Sequence, residues 1–172
     1  IHAGAGGVGL AAIQVAQALG AEVFATAGSP LKRAFLRNLG VAHTFDSRSA
    51  SFVNGVMAAT GGEGVDIVVN SLSGDLLQAS FETLRGGGRF IELGKRDIED
   101  DTQIGLRHFR RGLSYVALDL SQNAAPAAFA AVMAEIRSRL ETGVLRPLPY
   151  RSFDLTAPVD AFAPMSRGAQ AG

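Results

Sequence analysis

Short apolar runs alternate with longer segments that read as helices along most of this chain. The run at 65–70 is almost continuous in valine and isoleucine, which is typical of a strand covered on both faces of a parallel sheet. The longer segments end near Gly20, Gly40 and Gly143, and glycine is favoured just past a helix C-terminus. The pattern predicts strands at 1–3, 22–27, 43–46, 65–70, 89–93, 113–118 and 148–153. It predicts helices at 7–19, 30–39, 51–60, 75–84, 104–110, 124–141 and 159–167.

This alternation predicts the fold class. Strands that alternate with helices favour an α/β fold with a doubly wound, mainly parallel sheet and helices on both faces. A chain of 172 residues suits one domain, residues 1–172. Because the sequence begins within the first predicted strand and ends in small and polar residues, we expect it to be part of a longer polypeptide.

Composition narrows the classes of partner. The 16 basic and 16 acidic residues give a formal net charge of zero, which gives no indication of a nucleic acid or anionic membrane partner. The absence of cysteine excludes disulfides and thiolate metal sites and fits a cytoplasmic protein. No apolar run reaches the roughly 18 residues of a membrane span. His2, His43 and His108 lack metal-ligand spacing, so no metal is expected.

A glycine motif carries the strongest functional signal. Gly4, Gly6 and Gly9 follow the first predicted strand and open the first predicted helix. Such glycines allow a tight turn, a close approach of the backbone to a pyrophosphate, and close packing of helix on strand. The helix N-terminus, with Gly7 and Val8, offers N–H groups to phosphate. We therefore predict a dinucleotide site here; the alternative is a plain glycine-rich turn from strand to helix.

The end of the second predicted strand bears on which dinucleotide is bound. NAD-binding folds place a carboxylate there to accept hydrogen bonds from the ribose 2′-hydroxyl. Here the strand ends in Ala27, Gly28 and Ser29, and Lys32 and Arg33 follow within one helical turn. A hydroxyl and cations suit a 2′-phosphate, so the sequence favours NADPH over NADH. The alternative is that Lys32 and Arg33 are ordinary solvated helix residues.

Polar residues follow the next three strands at the edge where α/β sheets bind ligands. Asn70 and Ser71 end the fourth predicted strand and are candidates for hydrogen bonds to the ribose or carboxamide. Gly94 and Lys95 follow the fifth strand, and Asp119 follows the sixth. Lys95 can donate a proton, with Asp119 as its partner. The alternative is that these two residues form a purely structural ion pair.

These segments together resemble one known family. The stretches IHAGAGGVG at 1–9 and GRFIELGK at 88–95 are similar to the enoyl reductase domain of modular polyketide synthases and animal fatty acid synthase, within the zinc-free medium-chain dehydrogenase/reductase superfamily. The other matching stretches are 27–29, 32–33, 46–48, 51–52, 61–66 and 69–72, together with Asp97. The resemblance covers residues 1–119 and weakens beyond them.

The resemblance implies a Rossmann-type, NADPH-binding half that lacks the family's N-terminal, β-rich substrate domain. It implies hydride transfer to an enoyl thioester carried by an acyl carrier protein, with Lys95 and Asp119 as the catalytic proton-donor pair. It places Arg48 near the adenosine end and Leu72 beside the nicotinamide. The residues thus assigned to the cofactor are Gly4, Gly6, Gly7, Val8, Gly9, Gly28, Ser29, Lys32, Arg33, Arg48, Asn70, Ser71, Leu72, Leu93, Gly94 and Lys95.

The resemblance also sets expectations about partners and activity. The expected partners are the acyl carrier protein and other domains of the same synthase, with a homodimer as a further possibility. Acting alone, the chain is expected to reduce enoyl substrates poorly or not at all. Polyketide and fatty acid pathways both stay open, as do a quinone oxidoreductase-like enzyme of the same superfamily and a non-catalytic nucleotide-binding module.

Overall fold

A computed structural model of the chain describes residues 1–119 and 125–166. The strands are β1 Phe24–Ala27, β2 His43–Asp46, β3 Val65–Asn70, β4 Leu84–Glu92 and β5 Ser114–Ala117. The α-helices are α1 Gly7–Ala18, α2 Pro30–Asn38, α3 Ser51–Ala59, α4 Asp75–Glu82, α5 Arg96–Glu99, α6 Pro126–Glu141 and α7 Pro158–Ser166. A 3₁₀ helix, Leu106–Arg111, precedes β5. Among the described helices, none is long and apolar enough to cross a membrane.

The N-terminal segment joins two parallel sheets into one layer. β1 pairs with β2, and β4 lies between β3 and β5, all in parallel. The Thr26 amide donates to Ile1 O at 3.0 Å, and the His2 amide donates to Val69 O at 3.0 Å. The order across the layer is therefore β2, β1, segment 1–4, β3, β4, β5. This is the predicted doubly wound α/β architecture, and its order reverses beside segment 1–4, where such sheets bind ligands.

Two apolar clusters fill the space between the sheet and its helices. The first contains Leu10 and Ile13 of α1 and Leu36 of α2, all at most 2 % exposed. The second contains Phe81 of α4 stacked on Phe90 of β4, with their ring centroids 4.2 Å apart. Burial of these side chains holds the helices on the sheet and fixes the direction of each strand end.

His2 connects the central segment to both sides. Its Nδ1 lies 3.0 Å from Thr26 Oγ1 in β1, and its Nε2 lies 2.9 Å from Ser80 Oγ in α4. The ring also packs edge-on against Phe52 of α3. Burial lowers the pKa of His2 to about 3, so the ring is neutral at physiological pH.

The largest differences from the predicted boundaries are at the start of the chain and around β4. The predicted strand 1–3 is not a strand, because the chain turns from His2 onward and Ala3 has a φ of +48°. The predicted helix 75–84 ends at Glu82, and β4 begins at Leu84 and contains the glycines at 86–88, which the pattern places before the strand. Leu84 is fully buried and pairs with Val65, and a bulge between Val65 and Ile67 absorbs the irregular backbone.

The second half of the chain departs from the prediction in two further places. The predicted strand 148–153 is irregular, because Pro147 and Pro149 lack the amide donors that a ladder needs. Nearby, the Arg146 amide donates to Gln14 Oε1 of α1 at 2.8 Å, and Leu148 packs on the first cluster. The predicted helix 104–110 is the 3₁₀ helix. Residue 124 of the predicted helix 124–141 and residue 167 of the predicted helix 159–167 lie outside the described residues.

Candidate functional site

The glycine motif forms a tight turn that leads into α1. The Gly6 amide donates to Ala3 O at 2.9 Å and closes the turn. A Cβ at Gly9 would lie 2.5 Å from Ala3 O, so only glycine lets α1 approach the turn this closely. Gly6 is the N-cap of α1 and provides no capping side chain, and Val8 in the first turn is 67 % exposed. The first-turn N–H groups of α1 therefore present a cradle suited to an anion.

The space next to the end of β1 is lined by an arginine. A Cβ at Gly28 would lie 3.0 Å from Arg48 Nε, so the Arg48 side chain lies against the bare backbone of Gly28. Ser29 caps α2 by accepting a hydrogen bond from the Lys32 amide at 3.3 Å. The structure therefore brings Ser29, Lys32 and Arg48 to one strand end, and β1 itself ends without a carboxylate.

Arg33 has a different position from the one predicted. Its Nη1 donates to Ala27 O at 2.9 Å and lies 3.5 Å from a carboxylate oxygen of Asp46. The side chain is only 18 % exposed. These contacts hold the end of β1 against the end of β2, so the charge of Arg33 is compensated within the protein.

Lys95 and Asp119 meet at the carboxyl end of the second sheet. Lys95 follows β4 and Asp119 follows β5, and because these strands are parallel neighbours their ends lie at one edge. Lys95 Nζ donates to Asp119 Oδ1 at 3.2 Å. The lysine side chain is 55 % exposed and the aspartate 26 %. The ammonium is therefore oriented by a carboxylate and accessible from solvent.

Asn70 faces inward and does not present its side chain to solvent. It is completely buried, and its Nδ2 donates to Leu72 O at 2.8 Å and to Glu92 Oε2 at 2.6 Å. Its Oδ1 accepts from the Leu72 amide at 3.2 Å. Both Nδ2 donors are therefore used within the protein, and the buried side chain has no N–H left to donate to a ribose or carboxamide. Ser71, next to it, is exposed.

Glu92 is a site residue that the sequence analysis misses. It is 1 % exposed at the end of β4, and its Oε1 accepts from the Gly94 amide at 2.6 Å. Burial raises the pKa of Glu92, while the hydrogen bonds from Asn70 and Gly94 act in the opposite direction and the nearby Asp97 carboxylate raises it again. The available signal is a charged residue inside the apolar run at 90–93.

The acidic residues do not assemble a metal site in the part of the chain that the structure describes. No group of three or more His, Cys, Asp or Glu side chains is placed to hold a metal ion there. Asp97 instead accepts hydrogen bonds from the Gly74 amide at 3.1 and 3.3 Å, which ties the loop after β3 to α5.

Comparison with known proteins identifies relatives of this arrangement. A family model described as zinc-binding dehydrogenase matches residues 7–137. The nucleotide-binding subdomain of the enoylreductase domain of PpsC from Mycobacterium tuberculosis, an X-ray structure, is 40% identical with a TM-score of 0.79. That match covers 85% of this chain and 83% of the solved one.

Two curated relatives are much longer proteins. One subunit of the phenolphthiocerol/phthiocerol polyketide synthase of Mycobacterium tuberculosis is 41% identical over the whole of this chain, which spans 8% of that protein. The phthioceranic/hydroxyphthioceranic acid synthase of the same organism is 53% identical over 70% of this chain and 6% of its own length. In both, the similar region is a small part of the whole protein.

Proposed function

Because the chain belongs to the zinc-binding dehydrogenase family, and within it to the nucleotide-binding subdomain of polyketide synthase enoyl reductases, we propose that it binds NADPH for the reduction of an enoyl thioester. A nicotinamide cofactor follows from the family and the fold. The choice of NADPH, the substrate and the partners belong to the proposal.

The fit of a dinucleotide rests on two features of the crevice. The first turn of α1 offers N–H groups at a loop whose glycines leave the backbone bare. At the end of β1, Gly28 has no side chain and Arg48 lies against its backbone. A pyrophosphate at the loop and an adenosine ribose at Gly28 would each meet groups that complement their charge.

The observation that carries the choice of NADPH is Arg48 lying against Gly28. A 2′-phosphate is a dianion for which an arginine offers several N–H donors, and a carboxylate at this point would repel it. β1 is followed by Gly28 and Ser29, and Lys32 and Arg48 add two cationic residues near that end. The carboxylate of Asp46, at the neighbouring end of β2, is paired with Arg33. NADH lacks the group that Lys32 and Arg48 would bind.

The chemistry proposed for this chain is proton delivery. When bound, the cofactor supplies a hydride. Lys95 Nζ carries the proton that the α-carbon of the substrate receives, and Asp119 orients the ammonium through the 3.2 Å hydrogen bond. The exposure of Lys95 leaves this donor within reach of a substrate that enters from the open edge of the sheet.

We infer the partners from the relatives, which are polyketide synthases. We include an acyl carrier protein that bears the enoyl thioester, and the neighbouring domains of one synthase. The solved relative that matches 85% of this chain is a nucleotide-binding subdomain, so we expect these 172 residues to bind the cofactor but to show little or no turnover alone.

Calorimetric titration of this chain with NADPH and with NADH tests the proposal. We expect NADPH to bind at least about tenfold more tightly, which corresponds to about 1.4 kcal/mol. Equal affinity for the two coenzymes would contradict the assignment of Arg48, and absence of binding at millimolar concentrations of both would contradict the cofactor site itself.

A further inference from the structure

One buried pair connects the ends of the two strands that lead into the proposed nicotinamide end of the crevice. Asn70 and Glu92 are partners in the parallel register of β3 and β4, and both are at most 1 % exposed. The Asn70 amide donates to the Glu92 carboxylate at 2.6 Å. A hydrogen bond to an ionised group at this distance is among the stronger ones in proteins.

Each member of the pair also holds the backbone of its own loop. Asn70 bonds both the carbonyl and the amide of Leu72. Glu92 accepts from the Gly94 amide through its second oxygen. The two loops, 70–74 and 92–95, are therefore set by one side-chain pair, and the second of them carries Lys95.

The donor pattern requires a carboxylate at position 92. Each Glu92 oxygen accepts from a different donor, Asn70 Nδ2 and the Gly94 amide. Glutamine has one oxygen and one NH₂ group, so it would set a donor against a donor at one of the two contacts. Asn70 cannot rotate to relieve this, because its two bonds to Leu72 fix its orientation.

A buried glutamate at position 92 is unfavourable if folding stability is the only requirement. A carboxylate this deeply buried loses hydration, and an apolar pair of similar volume would commonly serve stability as well or better. The neighbouring Asp97 adds a second negative charge near the first. What the carboxylate supplies is a defined backbone geometry at Gly94, one residue before Lys95.

We propose that Asn70 and Glu92 are positioning residues that organise the loops 70–74 and 92–95 to receive the nicotinamide half of the cofactor and to hold Lys95 beside Asp119. This inference rests on the proposed function. It concerns only one end of the crevice, since the Arg48 end is built from β1, α2 and the segment after β2. A defect at the pair should therefore weaken contacts to the nicotinamide half and leave contacts to the adenosine half intact.

The test compares two ligands on this chain and its Glu92→Gln variant. NADPH contains both halves, whereas 2′,5′-ADP contains only the phosphorylated adenosine half. We expect Glu92→Gln to weaken NADPH binding about tenfold or more and to change the affinity for 2′,5′-ADP less than twofold. Glu99→Gln is the matched control, because Glu99 is exposed on α5 and its change should alter neither affinity.

Two further measurements separate positioning from general stability. In Asn70→Asp/Glu92→Gln the new aspartate can accept from the new glutamine while that glutamine accepts from Gly94. The bond to Leu72 O is lost in this variant, so only part of the NADPH affinity should return. Hydrogen exchange of the Gly94 amide, measured without ligand, should be faster in Glu92→Gln and slower again in the double variant. If Glu92→Gln does not fold, Glu92→Asp, which keeps the charge but shortens its reach, is expected to show the same split between ligands.

The outcomes are distinguishable. A wild-type chain that binds neither ligand overturns the proposed function and this inference with it. A wild-type chain that binds NADPH, with a Glu92→Gln variant of equal NADPH affinity, overturns the inference alone. Equal weakening of both ligands in Glu92→Gln together with a lower melting temperature also overturns it, because that is the result of a purely structural role.

Discussion

Replacing Gly9 by alanine tests the packing of α1 on the glycine turn. The new Cβ would lie 2.5 Å from Ala3 O, 2.6 Å from Gly4 Cα and 2.8 Å from Gly4 C. All three are backbone atoms, so α1 or the turn must move. Overpacking of this kind costs about 1–3 kcal/mol, and the higher helix propensity of alanine recovers part of it.

We expect a net loss of about 2 kcal/mol in Gly9→Ala, which lowers the melting temperature of a domain of this size by about 4–8 °C. Gly6→Ala is the matched control, because a Cβ there has Ala3 O at 3.4 Å as its nearest neighbour and its φ of −85° suits any residue. Because alanine is a poorer N-cap than glycine, Gly6→Ala should cost about 0.5–1 kcal/mol and lower the melting temperature by about 1–4 °C, less than Gly9→Ala. It should nevertheless lose NADPH affinity about tenfold, since its methyl group enters the phosphate cradle.

The measurement is thermal unfolding followed by circular dichroism, with calorimetric titration of NADPH on each folded variant. A Gly9→Ala variant that melts at the wild-type temperature would refute the reasoning about close approach. A Gly6→Ala variant that binds NADPH as tightly as the wild type would show that the phosphates do not approach this turn.

Three further predictions follow from the site. Arg48→Ala should weaken NADPH binding about tenfold or more and leave NADH binding unchanged. The control is Arg37→Ala, which removes an arginine bonded to Thr44 at the opposite end of α2 and should change neither affinity. Equal effects of the two variants in calorimetric titration would contradict the role of Arg48. In the complete reductase that we propose, Lys95→Ala should lower kcat by about 10²–10⁴-fold with a smaller change in KM, and an unchanged kcat would exclude Lys95 as proton donor. Since burial lowers the pKa of His2 from 6.5 to about 3, its contribution to stability is present above pH 6.5 and is lost as the pH falls toward 3. Urea unfolding at several pH values should show a loss of up to about 5 kcal/mol that is smaller in His2→Gln, and parallel curves for the two proteins would contradict this assignment.

The sequence predicts the fold well where local pattern and tertiary packing agree. The strands at 43–46 and 65–70 are correct to the residue. The first follows the glycine at the end of α2, and the second is an almost continuous apolar run that ends in Asn70. The pattern fails at the glycines of 86–88, where pairing with β3 and burial of Leu84 outweigh the low strand propensity of glycine. It fails again at 148–153, where Pro149 lacks the amide donor that a ladder needs.

The candidate site shows the same division. The proximity of Lys95 and Asp119 follows from a rule about strand ends, which the order of elements alone supplies. The inward orientation of Asn70 does not follow from the order of elements, because it depends on Glu92, a partner 22 residues away on the neighbouring strand. Arg33 likewise has the sequence context of a solvent-facing cation, and only the folded chain brings Ala27 and Asp46 to bind it.

The junction made by segment 1–4 has a mechanical consequence. On the β3 side, within the described residues, the junction is bridged by the hydrogen bond from the His2 amide to Val69 O and by the contact of the His2 ring with Ser80. Gly28 and Arg48, where we propose that the adenosine half binds, lie on one side of this junction, and Lys95 lies on the other. A dinucleotide that contacted both sides of this junction would stabilise them together. We therefore expect bound coenzyme to increase the cooperativity of unfolding.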